Sequence, residues 1–361
     1  AGGYSPVYPC HVSPKKMRTH PIGTGPFKFV SLKQNEHVKF VKNQNYWKKG
    51  LPHLDGINWT IIKSRSTRVL AFVAGKFDFT FNVDVTIPLL KDVKAQAPHA
   101  ICELVTTNVS FNLIVNQFKP PFDNAKIRKA MVMTMDRKAF IDILSEGQNV
   151  QGGAMMPPPS GVWGMPPEFL KTVAGYSSDV AGNRAKARKI MESLGYGPDN
   201  KLKVKVSTRN IAVYRDPAVI LIDHMKEIYI DATLDTVETS NWHAKVARKD
   251  YMVGLNLTGI GVDDPDANFY ENYSCGSQRN YTGYCKPEME ALFEKQSMME
   301  DQAARKKLVW EIDKKLQEDA ARPMIMHGKA AQCWQPYVKG FVTHVNSIYN
   351  NWRMEDVWLD K

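Results

Sequence analysis

The feature that most limits what this chain can become is a regular exchange of helix-like and strand-like stretches from about residue 110 to about residue 330. Asp123 or Asn124 can cap a long helix running to about Ser145, with Gly147 as its stop. A helix near Asn183–Leu194 ends at Gly195, and Lys203–Thr208 alternates as a strand should. Pro217–Ile228 reads as a helix with Pro217 at a tolerated early position. Asp231–Val237 and Met252–Leu257 read as strands, and 286–297 and 301–320 as helices. In the last of these, Leu308, Ile312 and Leu316 recur every four residues on one face. Strands that alternate with helices in this way argue for an α/β domain.

The flanks differ. Residues 21–110 are strand-rich: Phe27–Val30, His37–Val41 and Ile57–Ile62 read as strands, and Phe77–Phe81 alternates again. A short helix near Ser66–Ala74 stops at Gly75. Pro157–Pro159 and Met165–Pro167 flank Trp163 in what reads as an irregular loop. The expected organisation is residues 1–110 plus 336–361 as one strand-rich domain and 111–335 as the α/β domain.

At 361 residues with 43% hydrophobic content, the chain can bury a sizeable core. The net charge of +11 raises the question of a nucleic-acid or anionic-lipid partner. The basic groups, such as Lys186–Lys189, Arg305–Lys307 and Lys314–Lys315, are scattered in helical patterns and read as solvated faces, so no nucleic acid is expected. No run of 18 apolar residues is present to span a membrane. Cys275 and Cys285 bracket a loop rich in Gly, Ser, Asn and Tyr that can close into a disulfide in an oxidising compartment. Cys10, Cys102 and Cys333 are too far apart in sequence to pair on this basis, and each reads as a buried free thiol.

Four passages stand out in order along the chain: Pro21-Ile-Gly-Thr-Gly-Pro-Phe-Lys-Phe29, Asn43-Gln-Asn-Tyr-Trp47 with Pro52-His-Leu-Asp-Gly-Ile57, Ala74-Gly-Lys-Phe-Asp78, and Pro121–Ala130 with Asp136-Arg-Lys138. Together they resemble the extracellular solute-binding proteins of family 5, the dipeptide, oligopeptide and nickel binders. Asp264-Pro-Asp266, the Cys275/Cys285 pair and Val338-Lys-Gly340 follow in the order that family shows. No one of these motifs is specific; the ordered set spans nearly the whole chain. The resemblance implies a two-lobed periplasmic-binding-protein-like α/β fold of the peptide-binding class. It implies capture of a small-molecule or peptide ligand for an ABC permease in the inner membrane, a periplasmic location, no cofactor and no catalysis. Family members carry a long stretch before the Gly-Thr-Gly-Pro segment, so the chain reads as N-terminally truncated, and a monomer is expected at full length.

The resemblance also implies where a ligand would sit. The family binds in a cleft between lobes joined by two chain crossings, which it places near Thr107–Asn116 and Gln335–Gly340, with Asn108, Asn112 and Pro336 as hinge residues. The ligand segment it implies is Asn256-Leu257-Thr258-Gly259-Ile260 with Asp263, and the glycines there let backbone approach a ligand closely. Peptide-binding members have Gly-Trp-x-x-Asp in this stretch, the aspartate pairing the ligand's amino terminus. Here Leu257 stands at the Trp position and Ile260 at the Asp position. A buried ammonium without a carboxylate is costly, so the usual peptide-amine contact is not expected. Either Asp263 substitutes, or Asp263, Asp264 and Asp266 only shape a turn. Arg209, just past a strand end and near Tyr214, can clasp a carboxylate bidentately or form a surface ion pair. Trp242, Tyr270 and Trp163 can pack on a ligand or in the core.

Enzyme and metal signatures are weak. There is no Gly-x-Ser-x-Gly and no His-Glu-x-x-His, and His224 and His243 lack partners at metal spacing. Two rivals remain at this level: a nickel or metal-chelate binder on the same scaffold, and a fragment that acts as an interaction module.

Overall fold

The computed structural model describes residues 8–81, 84–346 and 351–361. The parts of the expected strand-rich domain at 1–7, 82–83 and 347–350 lie outside the described residues. The chain divides into two compact units, Ala1–Thr107 with Ala330–Lys361, and Asn108–Lys329.

In the first unit, α1 (Pro14–Thr19) starts at Ser13, whose hydroxyl accepts from the Lys16 N–H. β1 (Phe27–Lys33), β2 (His37–Lys42) and β3 (Gly56–Thr60) form an antiparallel sheet in that order. α2 (Arg65–Val73) is capped by Ser64 and α3 (Ile87–Gln96) by Thr86, each side-chain oxygen taking an N–H that the first turn leaves without a partner. Gly75, at φ 72°, provides the left-handed turn that ends α2. β4 (Ile101–Val115) begins in this unit and continues into the second.

In the second unit the expected helix from 123 to 145 is two, α4 (Ala125–Thr134) and α5 (Arg137–Ser145). Met135 and Asp136 are extended between them, and the Asp136 carboxylate caps α5 by accepting from the Ala139 N–H, so a second N-cap ends what periodicity alone would continue. α6 (Pro167–Leu170) is one helical turn inside the stretch expected to be loop; its proline sits in the first turn, where no N–H is needed. α7 (Val180–Glu192), β5 (Leu202–Arg209), α8 (Ala212–Lys226) and β6 (Ile230–Val237) follow. α8 starts five residues before the proline that was expected near its beginning, so Pro217 lies inside the helix. α9 (Thr239–Ala247) and α10 (Pro265–Asn272) were not expected; β7 (Val253–Gly259) lies between them, and α11 (Pro287–Ser297), α12 (Gln302–Glu318) and β8 (Met324–Trp334) complete the run.

The five-stranded sheet has the order β6-β5-β7-β4-β8, with β5 parallel to both β6 and β7, and β4 antiparallel to β7. Its strands alternate between two apolar layers. Leu113, Val115, Val204, Val206 and Leu255 join Ala218, Leu221 and Met225 of α8 in the largest core cluster, whereas Ile114 packs with Trp242 and Val246 of α9. Helices therefore cover both faces, as expected of an α/β sheet. A further cluster joins Phe269, Phe293, Ile312 and Leu316 of α10, α11 and α12.

Back in the first unit, β9 (Val338–Lys339) pairs with β10 (Trp358–Leu359). Trp334, Val338 and Phe341 pack there with Phe27, Ile57, Trp59 and Phe79. The Phe77–Phe81 alternation is not a strand: Phe79 makes an isolated antiparallel bridge to Trp334 of β8, and at Thr80 the side-chain hydroxyl takes the Cys333 N–H in place of a backbone carbonyl.

The divisions of the chain fall within β4, at Thr107/Asn108, and within β8, at Lys329/Ala330. Asn108 stands at the first. The expected hinge residues Asn112 and Pro336 fall elsewhere: Asn112 is buried inside the second unit opposite Asn256, and Pro336 lies in the turn after β8 inside the first. The first division thus falls inside the expected crossing at Thr107–Asn116, and the second falls within β8, a few residues before the expected Gln335–Gly340.

Two disulfides are present. Cys275–Cys285 closes the expected loop. Cys102–Cys333, 231 residues apart, joins β4 to β8 within the first unit, where sequence reading had left two free thiols. Cys10 is free, and exposed rather than buried. No helix among the described residues is long and apolar enough to cross a membrane.

Candidate ligand site

The parallel strands β6, β5 and β7 bring their carboxyl ends, Val237, Arg209 and Gly259, to one edge of the sheet of the second unit. Antiparallel β4 brings Asn108 and Val109 to the same edge, Val109 opposite Gly259. Open α/β sheets place ligands outside such strand ends.

Arg209 is the last residue of β5. Its Nη1 donates to the Tyr214 hydroxyl at 3.0 Å, its Nη2 lies 2.7 Å from His243 Nε2, and its guanidinium carbon is 4.9 Å from the Tyr214 ring centre. Tyr214 comes from the first turn of α8 and His243 from α9, so the two helices that follow β5 and β6 hold the arginine between them. The Arg209 Nε is buried without a hydrogen-bond partner. A guanidinium cannot accept, so the His243 Nε2 facing it is the unprotonated nitrogen of a neutral ring. Burial, then the charges of Arg209 and Arg279, lower the pKa of His243 in agreement with that state. No carboxylate bridges Arg209 among the ion pairs of the described residues. Nearby acids have other partners: Asp235 takes the Ser207 hydroxyl and Lys245, Glu238 takes Asn210, and Glu271 takes Arg279.

The run Asn256–Ile260 is not a free loop. Asn256, Leu257, Thr258 and Gly259 belong to β7, and Ile260 continues the pairing: its N–H donates to the Asn108 carbonyl at 3.2 Å, and the Asn108 side-chain amide donates back to the Ile260 carbonyl. The Thr258 hydroxyl is a buried node, with donors from Asn112 at 2.9 Å, Asn256 at 3.2 Å and Arg322 at 3.3 Å. Arg322 also donates to the Asn272 side chain and to the Arg279 carbonyl, binding β7, the end of α10 and the disulfide loop together.

The remaining candidates are dispersed. Asp263 is not turned toward the Arg209 cluster: its carboxylate accepts from the Val162 N–H at 2.7 Å, and its carbonyl from the Trp163 indole at 3.0 Å. Burial raises its pKa. Asp264 caps α10, and with Asp266 it holds Arg305, whose guanidinium lies over Trp163. The aspartates therefore shape a helix start. Trp242 is a core residue, buried against Ile114 and Val246. Tyr270 is exposed on α10 and meets Phe293 edge-on. Sequence reading named both Arg209 and Tyr214 as candidates, and the structure places them in contact. It missed His243 as their partner, and missed Asn112 and Arg322 as neighbours of Thr258. Only the position of α9 after β6 could have indicated His243, and that helix was not recognised.

The fold defines a class, the α/β scaffold of periplasmic binding proteins. Solved structures share it: OppA of Haemophilus influenzae in complex with RPPGFSPFR (TM-score 0.82, 22% identity, 94% of this chain and 65% of that one) and AgaA of A. tumefaciens R10 in complex with agropinic acid (TM-score 0.81, 21% identity, 96% and 70%). The family model for bacterial extracellular solute-binding proteins, family 5 Middle, matches residues 4–280, and the chain belongs to that family. Heme-binding protein A of Haemophilus influenzae is 25% identical over 339 residues, covering 91% of this chain and 58% of that protein. The chain thus spans little more than half the length of that relative.

Proposed function

We propose that this chain is the solute-capturing component of an ABC importer, acting in the periplasm with an inner-membrane permease, and that its solute presents a carboxylate to Arg209. The observation that carries this is the Arg209 cluster: a guanidinium at the carboxyl end of β5, whose side-chain partners among the described residues are the neutral groups of Tyr214 and His243. A carboxylate would replace two hydrogen bonds to uncharged acceptors with a bidentate ion pair. The position at which peptide-binding relatives carry an acid for the ligand's ammonium is Ile260 here, and Asp263 faces Val162. The reading is therefore of a carboxylate-bearing solute whose capture does not depend on a free amine, bound reversibly and released unchanged. Agropinic acid in AgaA is a relative's ligand of that description.

The test is calorimetry on the protein with three probes: organic acids of the agropinate type, short peptides, and a nickel–histidine chelate. Binding of the acids, lost at least tenfold in Arg209→Met, is the expected result. Tight binding of peptides that needs their free amine, or of the chelate without dependence on Arg209, would overturn it.

A further inference from the structure

We infer that His243 is a proton-operated latch on Arg209: the neutral ring holds the guanidinium by its Nε2, and protonation of that nitrogen releases it. This rests on the proposed role of Arg209 only for its consequence; the latch itself is a property of the unliganded protein.

The geometry permits one arrangement of protons. Arg209 Nη2 and His243 Nε2 are 2.7 Å apart, and the guanidinium supplies the hydrogen. The ring must then carry its single proton on Nδ1. Adding a second proton places N–H against N–H and a positive charge beside a positive charge, so the contact cannot survive it. His243 is exposed on α9, so solvent protons reach it freely.

The groups around the ring do not offset this. β5 presents Arg209, the turn after it Asn210, α8 presents Tyr214, and the disulfide loop presents Arg279, which is ion-paired with Glu271 at 2.8 Å. On the α9 side, Glu238 takes the Asn210 amide and Lys245 lies between Asp235 and Asp250. Among the described residues no carboxylate forms an ion pair with His243. The ring's surroundings are cationic, which favours its neutral, holding form at neutral pH.

The consequence follows by linkage. Acidification frees Arg209 from one of its two side-chain anchors and adds a second positive charge to the site. Both changes favour an anion. A bound carboxylate must in turn raise the affinity of His243 for its proton by the same factor. Capture of an anionic solute is then accompanied by proton uptake and tightens as pH falls through the titration of His243. His243 acts here as a positioning residue, through Arg209.

The latch is tested on the unliganded protein by NMR titration of imidazole and arginine side-chain nitrogens. His243 should titrate below 6.5 with the Nδ1–H tautomer above its pKa. The Arg209 Nη resonances should shift with the same midpoint. In Arg209→Met the His243 midpoint should rise, because the Arg209 charge is one of the causes that lower it. In His243→Gln the Arg209 signals should lose their dependence on pH in this range while the backbone amide spectrum remains that of the folded protein. Arg209 resonances that ignore the His243 titration, or a His243 midpoint unchanged by removal of Arg209, would overturn the latch. Either outcome leaves carboxylate binding by Arg209 standing, because that is judged by the calorimetric loss in Arg209→Met.

Discussion

Asp313 and His327 grip one short loop from opposite sides, and their buried protons should oppose each other in the pH dependence of stability. The Asp313 carboxylate, fully buried on α12, accepts from the N–H groups of Ala154 at 2.8 Å and Met155 at 3.3 Å and from Gln317. Burial raises its pKa from 3.8 to about 6, against those hydrogen bonds. His327, buried on β8, has its Nε2 2.8 Å from the Gly153 carbonyl, and burial lowers its pKa from 6.5 to about 4. Asp313 therefore contributes stability that is present below about pH 4 and lost as pH rises through about 6. His327 works the other way: the unfolded state binds its proton first, so stability is lost as pH falls from about 6.5 to about 4. At about 1.4 kcal/mol per pKa unit, each is worth about 3 kcal/mol over its window. Between pH 4 and pH 6 they cancel. Asp313→Asn removes one side of the balance, and its stability relative to the parent should rise by about 2 kcal/mol from pH 4.5 to pH 6.0. Urea unfolding at four pH values across that range reads the difference, in which all shared titrations drop out. His327→Gln should show the opposite slope. A difference for Asp313→Asn that stays flat within 0.5 kcal/mol would refute the assignment of a buried proton to Asp313.

The two disulfides should differ in what their removal costs. The chain-entropy model gives about 5 kcal/mol for Cys102–Cys333, which spans 231 residues, and about 3 kcal/mol for Cys275–Cys285, which spans 10. Chemical denaturation of the two double Ser variants would order them, and equal losses would argue that native contacts rather than loop length set the effect. Gly153→Ala places a methyl group 2.2 Å from Asp313 Oδ2 and 2.5 Å from Met165 Cε, so it should destabilise by at least about 2 kcal/mol. Thermal unfolding checks this, with Gly197→Ala, where a Cβ meets nothing within 4 Å, as the neutral control.

The α/β character was legible because it rests on local periodicity. Val204 and Val206 alternate with exposed Lys203 and Lys205, and Leu316 follows Ile312 by one turn, whatever lies elsewhere in the chain. Errors came where a local signal had two meanings. Asp136 reads as a helix-surface residue until its carboxylate is seen to cap a new helix. The Phe77–Phe81 alternation is that of a strand, but it meets β8 only in isolated bridges, with the Thr80 hydroxyl taking the Cys333 N–H that a ladder would give to a carbonyl. The pairing of Cys102 with Cys333 depends on β4 and β8 being neighbours in the sheet, a tertiary fact that spacing does not encode. The site was half legible for the same reason. Arg209 and Tyr214 lie within one strand-to-helix turn, whereas His243 reaches them only through the parallel pairing of β5 with β6.

The surroundings of two arginines of the second unit bear on the proposed role of Arg209. Arg322 is almost wholly buried, and its acceptors are interior groups: the Thr258 hydroxyl, the Asn272 amide oxygen and the Arg279 carbonyl. Moving it toward a solute would leave buried acceptors unpaired, at about 1–3 kcal/mol each. Arg209 is half-buried, and its partners are a partly exposed tyrosine hydroxyl and an exposed imidazole. Both can turn to water when the guanidinium leaves, so exchanging two bonds to uncharged acceptors for a bidentate ion pair leaves no buried acceptor unpaired. A binding residue must be held well enough to be positioned and weakly enough to be taken over. Neutral, solvent-facing partners meet both conditions; buried or carboxylate partners meet only the first.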